Sequence, residues 1–159
     1  MPRLDLSYVE AYVFRRRQGR LQFLTLHRRP GGALPGVWQP VTGKLWRGET
    51  AARGVLREVR EETGVSPRRL WRLESVRAYY DPRREAIEVV TRFAAELDSR
   101  AAIQLSHEHT AYRFVTAGEA ARSFLWDSQR EGLTEARRLV TRGGERARAL
   151  EIVVADRGR

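Results

Sequence analysis

The sequence predicts a mixed α/β fold in one domain. Strand-like runs rich in β-branched and aromatic residues lie on both sides of a short amphipathic helix, so strands and helices interleave. That helix sits between two glycine-bearing loops and carries a cluster of carboxylates. A second helical apolar stripe follows near the C-terminus. With 159 residues, 42% of them hydrophobic, the chain is long enough for one real core.

From the N-terminus, residues 8–14 alternate as a strand, residues 15–20 read as a charged turn around Gly19, and residues 21–27 form a second strand with Phe23 inside. Together they predict a hairpin. Residues 28–36 are a loop rich in Gly and Pro, and residues 38–42 a short apolar strand. Trp38 reads first as a core anchor and second as part of a base-stacking wall, because a large aromatic beside a tight loop packs. Gln39 beside it is a candidate polar contact to substrate. Residues 70–80 and 86–97 are two long strands joined by turn chemistry at Asp81-Pro82-Arg83-Arg84. Residues 98–107 lack periodicity, 111–115 are a last short strand and 118–124 a short helix. Ser128 with Glu131 matches a capping box for the C-terminal helix, whose stripe is Leu133, Ala136, Leu139 and Val140 and whose stop is Gly143-Gly144. The β-prone run 150–154 is expected to add an edge strand or an oligomer contact, which makes the stretch from about 143 a candidate C-terminal extension of the domain.

The segment from Gly43 to Val65, GKLWRGETAARGVLREVREETGV, organises the rest. Thr50 is a plausible N-cap and Gly64 a stop. At about 100° per residue, Glu58, Glu61 and Glu62 fall on one face, Ala52, Leu56, Val59 and Thr63 on a second, and Arg53, Arg57 and Arg60 on a third. Three clustered carboxylates repel one another unless a cation neutralises them, and hard oxygen ligands suit Mg²⁺ or Mn²⁺. A bare EVREE would be a solvated Glu/Arg helix surface. The spacing around it argues otherwise.

That spacing resembles the Nudix box, G-x5-E-x7-R-E-U-x-E-E-x-G-U with U a bulky aliphatic. Gly43, Glu49, Arg57, Glu58, Val59, Glu61, Glu62, Gly64 and Val65 fill every specified position. Seven fixed matches arise by chance about once in 10⁸ placements at average residue usage, so the chain is identified as a member of the Nudix hydrolase family. The resemblance implies an α/β/α sandwich with a curved mixed sheet. It also implies Mg²⁺-dependent hydrolysis of a nucleoside diphosphate linked to another group, with Mn²⁺ as a substitute. It makes Glu58 and Glu62 the main metal ligands, Glu61 a third ligand or proton acceptor, and the Thr42 carbonyl a further ligand. Arg57 then orients carboxylates, with Glu49 held against it. Arg28 and Arg29 are the candidates for polyphosphate contact.

A looser likeness covers WQPVTG before the box, then SHEHTAYRFV and the helix from Ser128; it is similar to bacterial dATP/dihydroneopterin triphosphate pyrophosphohydrolases. It implies a triphosphate substrate split to monophosphate and pyrophosphate. Lys44, Leu45 and Trp46 depart from that subgroup, which has smaller or acidic residues there. Glu108, between two histidines and just before an apolar strand, is expected to join the box carboxylates. His107 and His109 with no cysteine in the chain do not make a zinc site. Two alternatives are a dinucleoside polyphosphate hydrolase and a non-catalytic nucleotide- or RNA-binding module. Keeping every box glutamate argues against the second.

The net charge of +10 is almost all arginine, with Lys44 the single lysine. The arginine doublets are scattered, which reads as surface charge more than as a nucleic-acid footprint, so nucleic acid is not the favoured partner. No apolar run reaches membrane-spanning length and no apolar signal region opens the chain, so the expectation is a cytoplasmic protein without a membrane partner. Oligomeric state has no signature.

Overall fold

The computed structural model describes residues 1–153. Two long strands form the centre of its sheet: β1 (Arg3–Arg17) and β6 (Ala86–Glu96) run parallel side by side, Ala11 opposite Phe93 and Phe14 opposite Glu96. Both are buried on both faces, so their middles read as nearly continuous buried runs. β2 (Arg20–Arg28) returns antiparallel along the end of β1 through a turn at Gln18-Gly19, both at positive φ. The strands thus extend through the residues expected to be a longer charged turn. β3 (Trp38–Gln39) joins β2, and β4 (Val41–Lys44), separated from it by Pro40, pairs instead with the first half of β1. β5 (Arg69–Asp81) pairs with β6, and β7 (His109–Val115) pairs with β2. The strand order is β3-β2-β1-β6-β5-β8, with β8 (Glu151–Ile152) a two-residue edge strand and β4 and β7 attached off that path. The predicted mixed sheet is present.

Helices cover both faces. α1 (Ala51–Thr63) packs on the side of Val9, Ala11, Val13, Leu24 and Leu26. α2 (Ala117–Ser123), α3 (Asp127–Arg142) and α4 (Gly144–Leu150) lie on the other side, over Tyr12, Phe14, Phe23 and Trp71. Alternate residues of β1 feed the two cores, which is the period-two consequence of a strand between two layers. Gly132 of α3 has no side chain because the Tyr12 hydroxyl occupies that space: a Cβ there would lie 2.2 Å from it.

Three local expectations change. The capping box is not at Ser128: the cap position of α3 is Trp126, two residues earlier, with no side-chain cap, and Asp127 pairs with Arg130. The reciprocal box belongs to α2, where Thr116 and Glu119 cap each other's backbone. Past the glycine pair, Gly144–Leu150 is helical before the short edge strand β8 (Glu151–Ile152) pairs with β5. Val154 lies outside the described residues. No helix among the described residues is long and apolar enough to cross a membrane.

Candidate active site

α1 begins and ends where its sequence says. Thr50 Oγ1 accepts from Arg53 N at 3.3 Å, and Gly64 adopts φ 72° and donates its N–H to the Arg60 carbonyl. Its buried face is rotated from the expected one. Val55, Glu58, Val59, Glu62 and Thr63 are buried, while Ala52 and Leu56 are only half-buried. The cause is Gly43 in β4: a Cβ there would sit 2.0 Å from Glu58 Cδ, so the carboxylate face itself packs against bare backbone. Gly54 opens a second space, occupied by Leu45 and Glu49.

Arg57 is not on a solvent face. Its side chain is 14% exposed and its guanidinium is forked among carboxylates: Nε donates to Glu49 Oε1 at 2.9 Å and Nη2 to Glu49 Oε2 at 2.9 Å. Nη1 donates to Glu58 at 2.6 Å and to Glu61 at 3.1 Å, and Nη2 also reaches the Lys44 carbonyl. This bidentate bracing is what a planar guanidinium does best. Glu49 in turn accepts from the Trp46 amide at 3.0 Å, and with Arg57 beside it its carboxyl lies below the usual range.

Glu62 is held from the other side by residues of the loop and strand far along the chain. Ser106 Oγ donates to Glu62 Oε2 at 2.9 Å, and His109 Nδ1 lies 2.6 Å from the same oxygen in a short but bent contact. Gln39 Nε2 lies 3.2 Å from His109 Nε2. An amide donor there leaves the proton on Nδ1, facing Glu62. Burial pushes the Glu62 carboxyl up, but His109 and Ser106 outweigh it, and the group lies below its ordinary value. Glu58 goes the other way: burial outweighs Arg57 and raises it. Two acids one turn apart are therefore driven in opposite directions by their surroundings.

The carboxylates open into a cavity of about 890 Å³ that Arg28, Gln39, Thr42 and Glu108 also line. The structure thus brings together Glu58, Glu61, Glu62, Arg57, Thr42, Glu108, Arg28 and Gln39. It does not bring Arg29, whose guanidinium donates to the His107 carbonyl, nor Trp38. The Trp38 ring lies between His27, at 4.7 Å between centroids, and the Arg113 guanidinium at 3.8 Å, so it packs and offers no face to the cavity. The other walls were not read from the sequence: Tyr8, Lys44 and Trp46, then Arg77 and Tyr79 of β5, and Trp126 and Gln129 at the start of α3. Arg77 Nε and Gln129 Oε1 are buried there without a protein partner among the described residues. These residues come from four separate elements, and only the departure at Lys44-Leu45-Trp46 carried a signal.

A fold with helices on both sides of a mixed sheet, and a capped helix holding braced carboxylates over a cavity, defines a hydrolase of the Nudix class. A NUDIX domain model matches residues 7–136, and the chain belongs to that family as a nucleoside polyphosphate hydrolase. Among relatives, the asymmetrical bis(5'-nucleosyl)-tetraphosphatases of Mus musculus and Rattus norvegicus are each 33% identical over 100 residues, covering 62% of this chain and 68% of theirs. Solved structures share the fold at lower identity. A C. elegans Ap4A hydrolase binary complex superposes with a TM-score of 0.73 at 21% identity over 86% of this chain and 98% of that one. The E. coli dihydroneopterin triphosphate pyrophosphohydrolase does so with 0.66 at 22% identity over 87% and 99%.

Proposed function

We propose that the protein hydrolyses dinucleoside polyphosphates, using Glu58, Glu61 and Glu62 to hold divalent cations against the phosphate chain. The observation that carries this reading is what lines the cavity: three aromatic side chains from separate segments, Trp46 of the loop before α1, Tyr79 of β5 and Trp126 just before α3, border the space into which the carboxylates open. Trp46 also stacks with the Arg57 guanidinium, 4.1 Å from its ring centroid. A substrate with a nucleoside at each end of its phosphates needs such separate aromatic surfaces. The identity to the mouse and rat tetraphosphatases supports it.

The carboxylates fit a hard divalent ion. Each has one oxygen engaged by the protein, Glu58 Oε1 and Glu61 Oε2 by Arg57 and Glu62 Oε2 by Ser106. The second oxygen of each receives no hydrogen bond from the described residues and is left for a ligand. Among the described residues, no three of these groups are drawn together closely enough to hold an ion by themselves. Magnesium is the expected ion and manganese the substitute; when bound, it would screen the polyphosphate and acidify a water. Arg57 keeps the three acids aligned, and His109 and Ser106 fix Glu62. The Thr42 carbonyl and Glu108 supply further oxygens, and Arg28 and Lys44 reach the outer phosphates.

The triphosphate substrates drawn from the looser likeness, dATP-like compounds and dihydroneopterin triphosphate, carry one nucleoside-like group instead of two and would release pyrophosphate. The test is a product-resolved comparison of kcat/KM with Mg²⁺ across diadenosine tetraphosphate, dATP, dihydroneopterin triphosphate and ADP-ribose. Diadenosine tetraphosphate should lead by about tenfold, the ratio that about 1.4 kcal/mol of extra transition-state binding gives, and yield ATP and AMP. A lead by dATP or dihydroneopterin triphosphate with pyrophosphate as product would overturn the substrate assignment.

A further inference from the structure

Beside the carboxylate cavity lies a second recess of about 500 Å³, within the size range of small-ligand sites. Its walls include Trp46, Leu56 and Pro67, with Arg60 and Ser66 from α1 and the connector that follows it. The two spaces are contiguous, because Trp46, Arg57 and Glu61 line both. Of the groups assigned to the cation above, only Glu61, with Arg57 beside it, borders the recess.

Trp46 itself has no structural reason to stand where it does. It is 63% exposed, and the Arg57 guanidinium lies 4.1 Å from its ring centroid. That guanidinium needs no aromatic support, since Glu49, Glu58, Glu61 and the Lys44 carbonyl already engage all three of its nitrogens. What remains is a large flat ring, largely open to solvent, at the border between the two spaces. Arg60, on the same side, is exposed and makes no ion pair among the described residues. An open aromatic face next to apolar walls and a free guanidinium is the chemistry that takes a nucleoside: the base stacks and the cation meets the phosphate it carries.

We infer that this recess binds the second nucleoside of a dinucleoside polyphosphate, its base stacked on Trp46 and its adjoining phosphate near Arg60. The assignment rests on the substrate reading above and locates the group that distinguishes such a substrate from a nucleoside triphosphate. The phosphate chain then crosses Arg57 and Glu61 between the two nucleosides, which places the carboxylates along its middle.

The test compares diadenosine tetraphosphate with adenosine tetraphosphate, which has the same phosphate chain and lacks the second nucleoside. Stacking on an aromatic side chain corresponds to roughly tenfold in affinity. Trp46→Ala should therefore raise KM for diadenosine tetraphosphate about tenfold and more than it does for adenosine tetraphosphate, and Trp46→Phe should restore most of the difference. Ser66→Trp fills the recess from the connector, away from Arg57; it should raise KM for the dinucleoside compound alone. Parallel changes for both substrates would mean that Trp46 only supports Arg57, and unchanged KM values would mean the recess is empty in the complex; either overturns the assignment. The wild-type enzyme reads the substrate proposal separately. A preference for adenosine tetraphosphate over the dinucleoside compound would sink that proposal and the recess with it. A tenfold preference for the dinucleoside that Ser66→Trp leaves intact would remove the recess alone.

Discussion

Two buried glutamates on two helices show how differently one side chain can be employed. Glu135 of α3 is 8% exposed, and both its oxygens are taken by the protein: Oε1 accepts from the amides of Glu74 and Ser75, at 2.8 and 3.3 Å, and Oε2 from the Ser75 hydroxyl. It pins the irregularity in β5, where the register with β6 shifts between Arg72 and Val76. Glu62 of α1 is 4% exposed and equally fixed through Oε2, yet its other oxygen has no hydrogen-bond donor among the described residues. Burial alone does not tell a working carboxylate from a structural one. The difference lies in whether the protein leaves an oxygen unused beside a cavity.

The largest effect should follow from removing charge where an oxygen is free. Glu62→Gln keeps the shape and the contact with Ser106, so the thermal midpoint should move little, while kcat at saturating Mg²⁺ should fall by about 10²-fold or more. Near-normal turnover would place Glu62 with Glu135 among the structural acids. Gly43→Ala attacks the same face from the sheet. The new methyl would lie 2.0 Å from Glu58 Cδ, so the Glu58 side chain must move away from β4. Displacing Glu58 from Arg57 should lower kcat at least tenfold, with a stability loss of about 1–3 kcal/mol from overpacking. Full activity in that variant would show that Glu58 works from another rotamer.

Glu135→Ala should show the opposite signature. It strands two backbone amides and a hydroxyl in a buried place, at about 2–3 kcal/mol in all, visible as a lower urea midpoint. Turnover per folded molecule should stay within about twofold, because the acids proposed to hold the ion are on α1, which packs on the opposite face of the sheet from α3. A loss of kcat without a loss of stability would mean that β5 positions substrate through this clamp.

The comparison also shows what the sequence could and could not display. α1, its Thr50 cap, its Gly64 stop and the fork of Arg57 with Glu49, Glu58 and Glu61 are local, set by spacings of at most eight residues, and they were readable. So were the β1–β2 and β5–β6 hairpins, joined by local turns, but not the parallel pairing of β1 with β6. The phase of the buried face of α1 was not, because hydrophobicity pointed to Ala52 and Leu56 while the deciding fact was a close approach by Gly43 across the sheet. Ser106 and His109 reach Glu62 across 44 and 47 positions, and Glu135 reaches Glu74 across 61. No periodicity encodes such contacts. Arg29 turns from the cavity to the His107 carbonyl, and Trp38 packs against His27 and Arg113, as its first reading as an anchor expected; those partners too are set by distant pairing.

Glu108 tests the middle ground. It is exposed, lines the cavity, and is among the groups acting on the Glu62 carboxyl. Its backbone supports the fold, donating to Ser106 Oγ at 3.3 Å and accepting from the Arg29 amide at 3.0 Å. Both bonds survive truncation of the side chain. Glu108→Ala should therefore leave the thermal midpoint almost unchanged and raise the Mg²⁺ concentration for half-maximal activity by about fivefold to tenfold, the cost of one hard-oxygen ligand among several. Unchanged metal dependence would make it a surface residue that happens to border the cavity.

The smallest effect is confined to acid. Asp5 is a surface counterpart of Glu135, with Oδ1 accepting from the Ser7 amide at 2.9 Å and Oδ2 from Arg84 at 2.7 Å. Hydrogen bonding from Ser7, against a counteracting burial and with help from Arg84, lowers its carboxyl from 3.8 to about 2. A carboxyl lowered by folding stabilises the folded state while both states are ionised, above about pH 4, and that contribution disappears as the pH falls through the window from 3.8 toward about 2. Its size should be at most about 1 kcal/mol, because Asp5 and Arg84 are partly solvated and screened. Asp5→Asn should thus be slightly less stable than wild type at neutral pH, and the two stability curves should converge as the pH falls to about 2. Denaturant midpoints at pH 7, 4 and 2.5 check this. A constant gap between the curves would assign the effect to the packing of the first residues of β1 against β6, with no role for the charge.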